Sequence, residues 1–204
     1  MADYQAVFAV GDALAKFLQN SYDAQTATDH NLVVPCSFKL VSSAEIANED
    51  QANLDKTVSL YLHRITLNEG FRSATRLQNS PGEQPILFLD LHYLITYWDA
   101  NAEGAEAEQK ILIWTMQQLQ SNPILDSSIL SLSSAAPGWD VTESIQLIPV
   151  DLSLEDVLRI WDALGPKYRL TISYLVRLVR VDRSIVPGMP VVATRFTYQD
   201  GGTS

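Results

Sequence analysis

Cysteine is nearly absent: Cys36 stands alone in 204 residues. No internal disulfide can form, and no pair of thiolates exists to build a zinc half-site. The plain reading of Cys36 is a small buried apolar side chain, and this usage fits folding in a reducing compartment. Histidine is scarce as well. His30, His63 and His92 are the only three, and none forms the HExxH pair of zinc hydrolases. The phosphate-cradling patterns GxxxxGK(S/T) and GxGxxG are missing, as is the GxSxG elbow that presents a serine nucleophile. These absences predict no catalytic residues, no bound metal and no cofactor.

Positive charge is in short supply. Fourteen Lys and Arg face 24 Asp and Glu, for a formal net charge of -10. Such a surface repels phosphates, and no basic run tracks a nucleic-acid backbone, so no nucleic-acid partner is expected. No apolar run approaches the roughly 20 residues that span a bilayer. Met1-Ala2-Asp3-Tyr4 has neither the basic start nor the apolar stretch of a secretory leader. The expectation is a soluble chain made in the cytoplasm, with no direct membrane insertion.

What remains is ordinary globular material, with 47% hydrophobic and 19% charged residues. A chain of this length buries roughly 70% of the surface it exposes when unfolded. Val7, Val10, Leu14, Phe17 and Leu18 recur at helical spacing and predict an opening helix over 4–22. A short strand is expected over 38–41, followed by a polar stretch over 44–55. The segment 58–67 reads as a long strand apolar on both faces, with Val58, Leu60 and Leu62 on one and Tyr61, Ile65 and Leu67 on the other. Strict alternation of Leu87, Leu89, Leu91, Tyr93, Ile95 and Tyr97 marks the clearest strand. A helix over 105–120 carries Ile111, Leu112, Thr115 and Leu119 on its buried stripe. A strand follows at 145–150.

Ser153, with Asp156 three residues on, caps a helix whose stripe is Leu154, Val157, Leu158, Trp161 and Leu164, stopped by Gly165-Pro166. The last long strand covers 169–182. The order predicts an α+β fold, a mixed and mainly antiparallel sheet with helices packed on it. Residues 1–182 form the expected domain. Residues 183–204 form an extended arm, in which Pro187, Gly188 and Pro190 precede an isolated strand pattern.

Candidate functional residues are few. Asp90 and His92 share one face of a strand, roughly 7 Å apart by strand geometry. A metal site would need more ligands, with His63 as one; the alternative is a half-exposed strand face or a subunit contact. Glu155-Asp156 lies in a helical first turn, where carboxylates cap and complement the dipole. Trp161 belongs to a core stripe, whereas Trp114 lies off its helix's main stripe, facing a core or another subunit. Trp98 ends a strand and Trp139 lies in a loop rich in Ser, Ala, Pro and Gly, which makes them candidate contact anchors. Val192, Thr194, Phe196 and Tyr198 on the terminal strand are the other candidate contacts. That strand adds to the sheet edge of a neighbouring protein or folds back on its own sheet.

Three segments taken together carry a resemblance: LFLDLHYLITYW (87–98), ILIWTMQQLQSNPIL (111–125) and IQLIPVDLSLEDVLRIWDALGPKYRLTISYLVRLVRVD (145–182). In order and spacing they resemble the cap, or tube-terminator, family of extracellular contractile injection systems, which are phage-tail-like particles. The resemblance covers roughly residues 4–182. It implies a fold like that of phage tail terminators and a structural, non-enzymatic assembly role. It implies a homo-oligomeric ring, six-fold in the family, that ends the inner tube and holds the last sheath layer. The implied partners are therefore inner tube protein, sheath protein and further copies of the chain, within a particle that is in some cases released from the cell. The competing readings are an adaptor or peptide-binding module, with Trp98 or Trp139 exposed, and a hydrolase built on Asp90, His92 and His63.

Overall fold

The computed structural model describes residues 2–28, 35–48, 53–68, 70–71, 86–99, 105–135 and 137–182. In chain order the elements are α1 (Ala6–Thr26), β1 (Ser37–Val41), α2 (Ser43–Ala47), β2 (Thr57–Leu67), β3 (Leu87–Trp98), α3 (Ala105–Ser121), β4 (Ile124–Leu125), α4 (Ser127–Leu130), β5 (Ile145–Pro149), α5 (Leu154–Leu164) and β6 (Thr171–Val181). All six strands form one sheet in the order β1-β2-β3-β6-β5-β4. β1 runs parallel to β2; the other pairings are antiparallel. The expected α+β class and mainly antiparallel sheet are observed.

β3 is the spine. From Leu91 onward all but one of its side chains are buried, on both faces. One face carries Leu91, Tyr93, Ile95 and Tyr97 and meets α1 and α3 through Val10, Leu14, Leu18, Ile111 and Leu112. Each such fully buried aliphatic side chain contributes about 1.5–3 kcal/mol. α1 lies so close to the sheet that a Cβ on Gly11 would stand 2.8 Å from Leu40 Cδ1 and 2.9 Å from the Tyr93 hydroxyl. Asp12, one residue on, ties the same helix to the loop after α4. It accepts hydrogen bonds from Lys16, the Ser133 and Ser134 hydroxyls and the Ser134 N–H. Burial alone would raise this carboxyl, but those bonds outweigh it and hold it below its usual range.

The opposite face is smaller and partly polar. Val41, Ile46, Leu54, Trp98 and Trp161 form its core. Beside them runs a track of hydroxyls across four strands: Ser37 bonds Thr57 at 2.8 Å, and Ser59 Oγ donates to the Thr96 carbonyl at 3.3 Å. Thr96 then bonds Thr171 at 3.1 Å. Both indoles donate into the track, Trp98 Nε1 to Ser59 at 2.7 Å and Trp161 Nε1 to Thr171 at 3.3 Å.

Two local expectations need correction. The polar stretch 44–55 contains α2, opened by a complete capping box between Ser42 and Glu45. The two-sided reading of β2 fails because the strand carries a bulge. Leu62 faces Tyr93 and Arg64 faces His92, which leaves His63 as an extra residue. The alternation shifts by one, and Ile65 and Leu67 fall on the same face as Val58, Leu60 and Leu62.

The close approach at Gly11 sets a test. Gly11→Val should cost roughly 1–3 kcal/mol by overpacking. Chemical denaturation should show a lower midpoint, and an unchanged midpoint would mean that α1 is free to lift from the sheet.

Candidate functional site

The Asp90–His92 segment lies where β3 is flanked by two bulged strands. On β6 the pairing jumps from Leu91–Val176 to Leu89–Val179, so one residue is extra there, and Leu178 adopts φ 69°. A leucine in the left-handed region is strained and needs surroundings that hold it. Asp90 supplies the hold: its Oδ1 accepts the Leu178 N–H at 3.2 Å, and both oxygens accept from Asn68 Nδ2, at 3.1 and 2.9 Å. Asn68 is itself buried, just past the end of β2. The carboxylate therefore ties β2, β3 and β6 together at one level.

His92 makes a different contact, a 3.1 Å hydrogen bond with Thr66 Oγ1, and its ring centroid lies 6.0 Å from that of His63. Burial, then the His92 and Arg64 charges, push His63 down to about 4. Burial and Arg64 lower His92 as well, against a small opposing pull from Asp90. Two neutral imidazoles could in principle bind a metal, but among the described residues no three His, Cys, Asp or Glu side chains converge to hold one. Cys36 offers no nucleophile. Burial raises its thiol to about 12, so it stays protonated at neutral pH.

The structure places the tryptophans individually. Trp98, expected as a contact anchor, is only 2% exposed. It packs on Trp161 with centroids 5.8 Å apart, and the Arg169 guanidinium lies 4.8 Å from its ring centroid, so its surface is used inside the subunit. Trp161 is core, as its stripe predicts. Trp114 is core too, donating to Gln25 Oε1 at 2.7 Å and standing edge-on to Tyr22. Trp139 is half-buried against the main core, and its Nε1 has no hydrogen-bond partner among the described residues. Ser153 caps α5 as expected, accepting from the Asp156 N–H, and Glu155 pairs with Arg159. Val192, Thr194, Phe196 and Tyr198 lie outside the described residues.

Sequence reading missed the apolar side chains that the fold leaves uncovered. Leu154 and Leu158 belong to the stripe of α5, yet Leu154 is 67% exposed and Leu158 is exposed as well. Only Trp161 on that helix is fully buried, with Val157 and Leu164 partly covered. Leu170 and Tyr168, which follow α5, Ile113 on α3 and Ile124 on β4 are also exposed. A second exposed group comprises Tyr4 and Phe8 near the start of α1 with Ile65 and Leu67 at the end of β2. Periodicity reports that a stripe is apolar; it does not report whether the same chain covers it.

Residues 9–194 match the model of the Pvc16 N-terminal domain family. The chain belongs to that family. Among solved structures, this family member is similar to a chain of the sheath/tube terminator, in the extended state, of the extracellular contractile injection system PVC. Identity is 19%, over 96% of this chain and 64% of that one, with a TM-score of 0.49. It is also similar to the tube-terminating cap of the anti-feeding prophage, with 17% identity over 70% of this chain and 49% of that one and a TM-score of 0.43. It thus spans less than two thirds of the length of either. No curated protein matches it.

Two tests follow from the bulge cluster. Asp90→Ala should lower stability by about 1–3 kcal/mol, because the buried Asn68 amide and the Leu178 N–H lose their acceptor; urea unfolding of the two proteins checks this. The unfolded chain binds a proton on His63 near pH 6.5, but the folded chain does so only near 4. Stability from this residue is therefore complete above pH 6.5 and lost as pH falls toward 4. His63→Gln should flatten the fall in urea midpoint over that window, and an identical fall in both proteins would refute it.

Proposed function

We propose that this chain is a structural cap protein that ends the inner tube and sheath of a phage-tail-like contractile injection particle. Membership of the Pvc16 N-terminal domain family over residues 9–194 carries the reading. Its role is assembly and not catalysis, in keeping with Asp90, His92 and His63, whose contacts serve the sheet.

The subunit works as a homo-oligomeric ring, six-fold as in the resemblance, with tube protein and sheath protein as partners. A ring of identical subunits closes through heterologous contacts, each joining two different surfaces. The described residues offer two unlike apolar surfaces. One includes Leu154 and Leu158 on α5; the other includes Tyr4 and Phe8 by α1 with Ile65 and Leu67 at the end of β2. Trp139 and the terminal strand, with Val192, Thr194, Phe196 and Tyr198, complete the candidate contacts. Among the described residues no helix is long and apolar enough to cross a membrane, and the particle that holds the ring is one that leaves the cell in some systems.

Light scattering of the purified protein, alone and with assembled tubes, tests the reading. The expected result is a closed ring near six subunits, or a ring that forms only on tube ends. A double variant, Leu154→Asp with Leu158→Asp, should keep the thermal midpoint of the subunit and lose the ring. A monomer that ignores tube ends in both conditions would replace the cap with a peptide-binding module.

A further inference from the structure

β2 is longer than the strand that covers it. β1 pairs with residues 57–61 only, and from Leu62 to Leu67 no described strand lies on that side. The backbone donors and acceptors that point outward along this half-strand form an open edge, able to template a further strand. Natural sheets blunt such edges, and the far edge of this one is blunted: β4 has two residues, Pro123 precedes it, and β5 ends at Pro149. Along Leu62–Leu67 the His63 bulge and the exposed Arg64 interrupt the edge, but among the described residues no strand covers it. Two apolar side chains of this half-strand are open, with Ile65 50% and Leu67 48% exposed. Where β1 stops, an open groove of about 620 Å³ lies between Tyr4, Phe8, Leu40, Leu62 and Tyr93.

The chain beyond Asp182 begins at the same end of the sheet. Leu87 faces Val181 and Leu67 faces Leu89, so β2 and β6 run in parallel toward one end. The position beside β2 is three strand spacings from β6, about 14 Å at roughly 4.8 Å each. Residues 183–190 span up to about 26 Å when extended. Pro187, Gly188 and Pro190 lie in this connection and suit a reversal. The strand pattern that follows, Val191 to Tyr198, then runs antiparallel to β2. The resulting spatial order, arm-β2-β3-β6, is that of a Greek key.

We propose that residues 191–198 dock as an added strand on the open edge of β2 in the same subunit. Val192, Phe196 and Tyr198 alternate onto the face of Ile65 and Leu67, and the strand's end reaches the groove beside Tyr4 and Phe8. Eight linking residues hold the arm at high effective concentration, which favours its own edge over that of a second copy. The occupant is thus the chain's own arm, and the inference stands whether or not the subunit caps a tube.

Hydrogen exchange followed by mass spectrometry tests it on the purified protein without tubes. The comparison sets the full chain against a chain ending at Pro190 and against Thr194→Pro, which removes a strand donor while keeping the length. Outward-facing amides within Leu62–Leu67 should exchange roughly tenfold or more slowly in the full chain than in either variant. Amides of β3 serve as the internal reference for an intact fold. The protection should be the same in dilute and concentrated protein. Equal exchange in all three proteins overturns the proposal, and so does protection that appears only at high concentration, which assigns the edge to a neighbour's strand. Protection in a protein that never forms rings or binds tube ends would sink the cap reading and leave this one standing.

Discussion

The architecture depends on one unbroken strand held between two strands that each carry an extra residue. β3 alternates without interruption from Leu87 to Trp98, while β2 inserts His63 and β6 inserts a residue at Arg177–Leu178 beside it. Bulges increase the local twist, and these two sit at nearly the same level of β3. Asp90 holds the β6 bulge through the Leu178 N–H and reaches Asn68 beyond β2. Below that level the sheet packs against α1 and α3. Above it, Ile65, Leu67 and Leu87 lie on the same face but are left exposed.

That arrangement gives the residues most like a catalytic group contacts within the sheet. An aspartate and two histidines near one another on a sheet face suggest metal or acid–base chemistry. Here the carboxylate accepts one backbone and one amide donor, His92 bonds a threonine, and His63 occupies the bulge. The second face of the sheet shows the same economy with polar groups. Its hydroxyls pair along a track across β1, β2, β3 and β6, and the Trp98 and Trp161 indoles complete it, so the groups of a partly polar layer find partners within the subunit.

Much of the fold was legible in particular residues. β3 declared itself because no bulge disturbs its period of two. α3 and the Ser153 cap of α5 followed from spacing and chemistry that act over a single turn. The misreadings share a cause in tertiary context. A bulge is invisible to strict alternation, so Ile65 and Leu67 were assigned to the wrong face of β2. Burial of Trp98 depends on Trp161 and Arg169, some 60–70 residues further along the chain. The exposure of Leu154 and Leu158 is set by what does not cover α5. Of the candidate contacts, only Trp139 keeps part of its surface free among the described residues.

The twin bulges also affect how relatives are compared. Positions on the α1-side face of β6 are Tyr174 and Val176 before the bulge but Val179 and Val181 after it; on β2 they are Leu60 and Leu62, then Ile65 and Leu67. Each strand is two half-strands out of phase by one position. An alignment scored across either without a gap will match core residues of one protein to surface residues of another whenever a homologue lacks the extra residue. Placing a single-residue gap opposite His63 and another opposite Leu178 keeps the two halves in phase, and shared core positions between distant members then come into view.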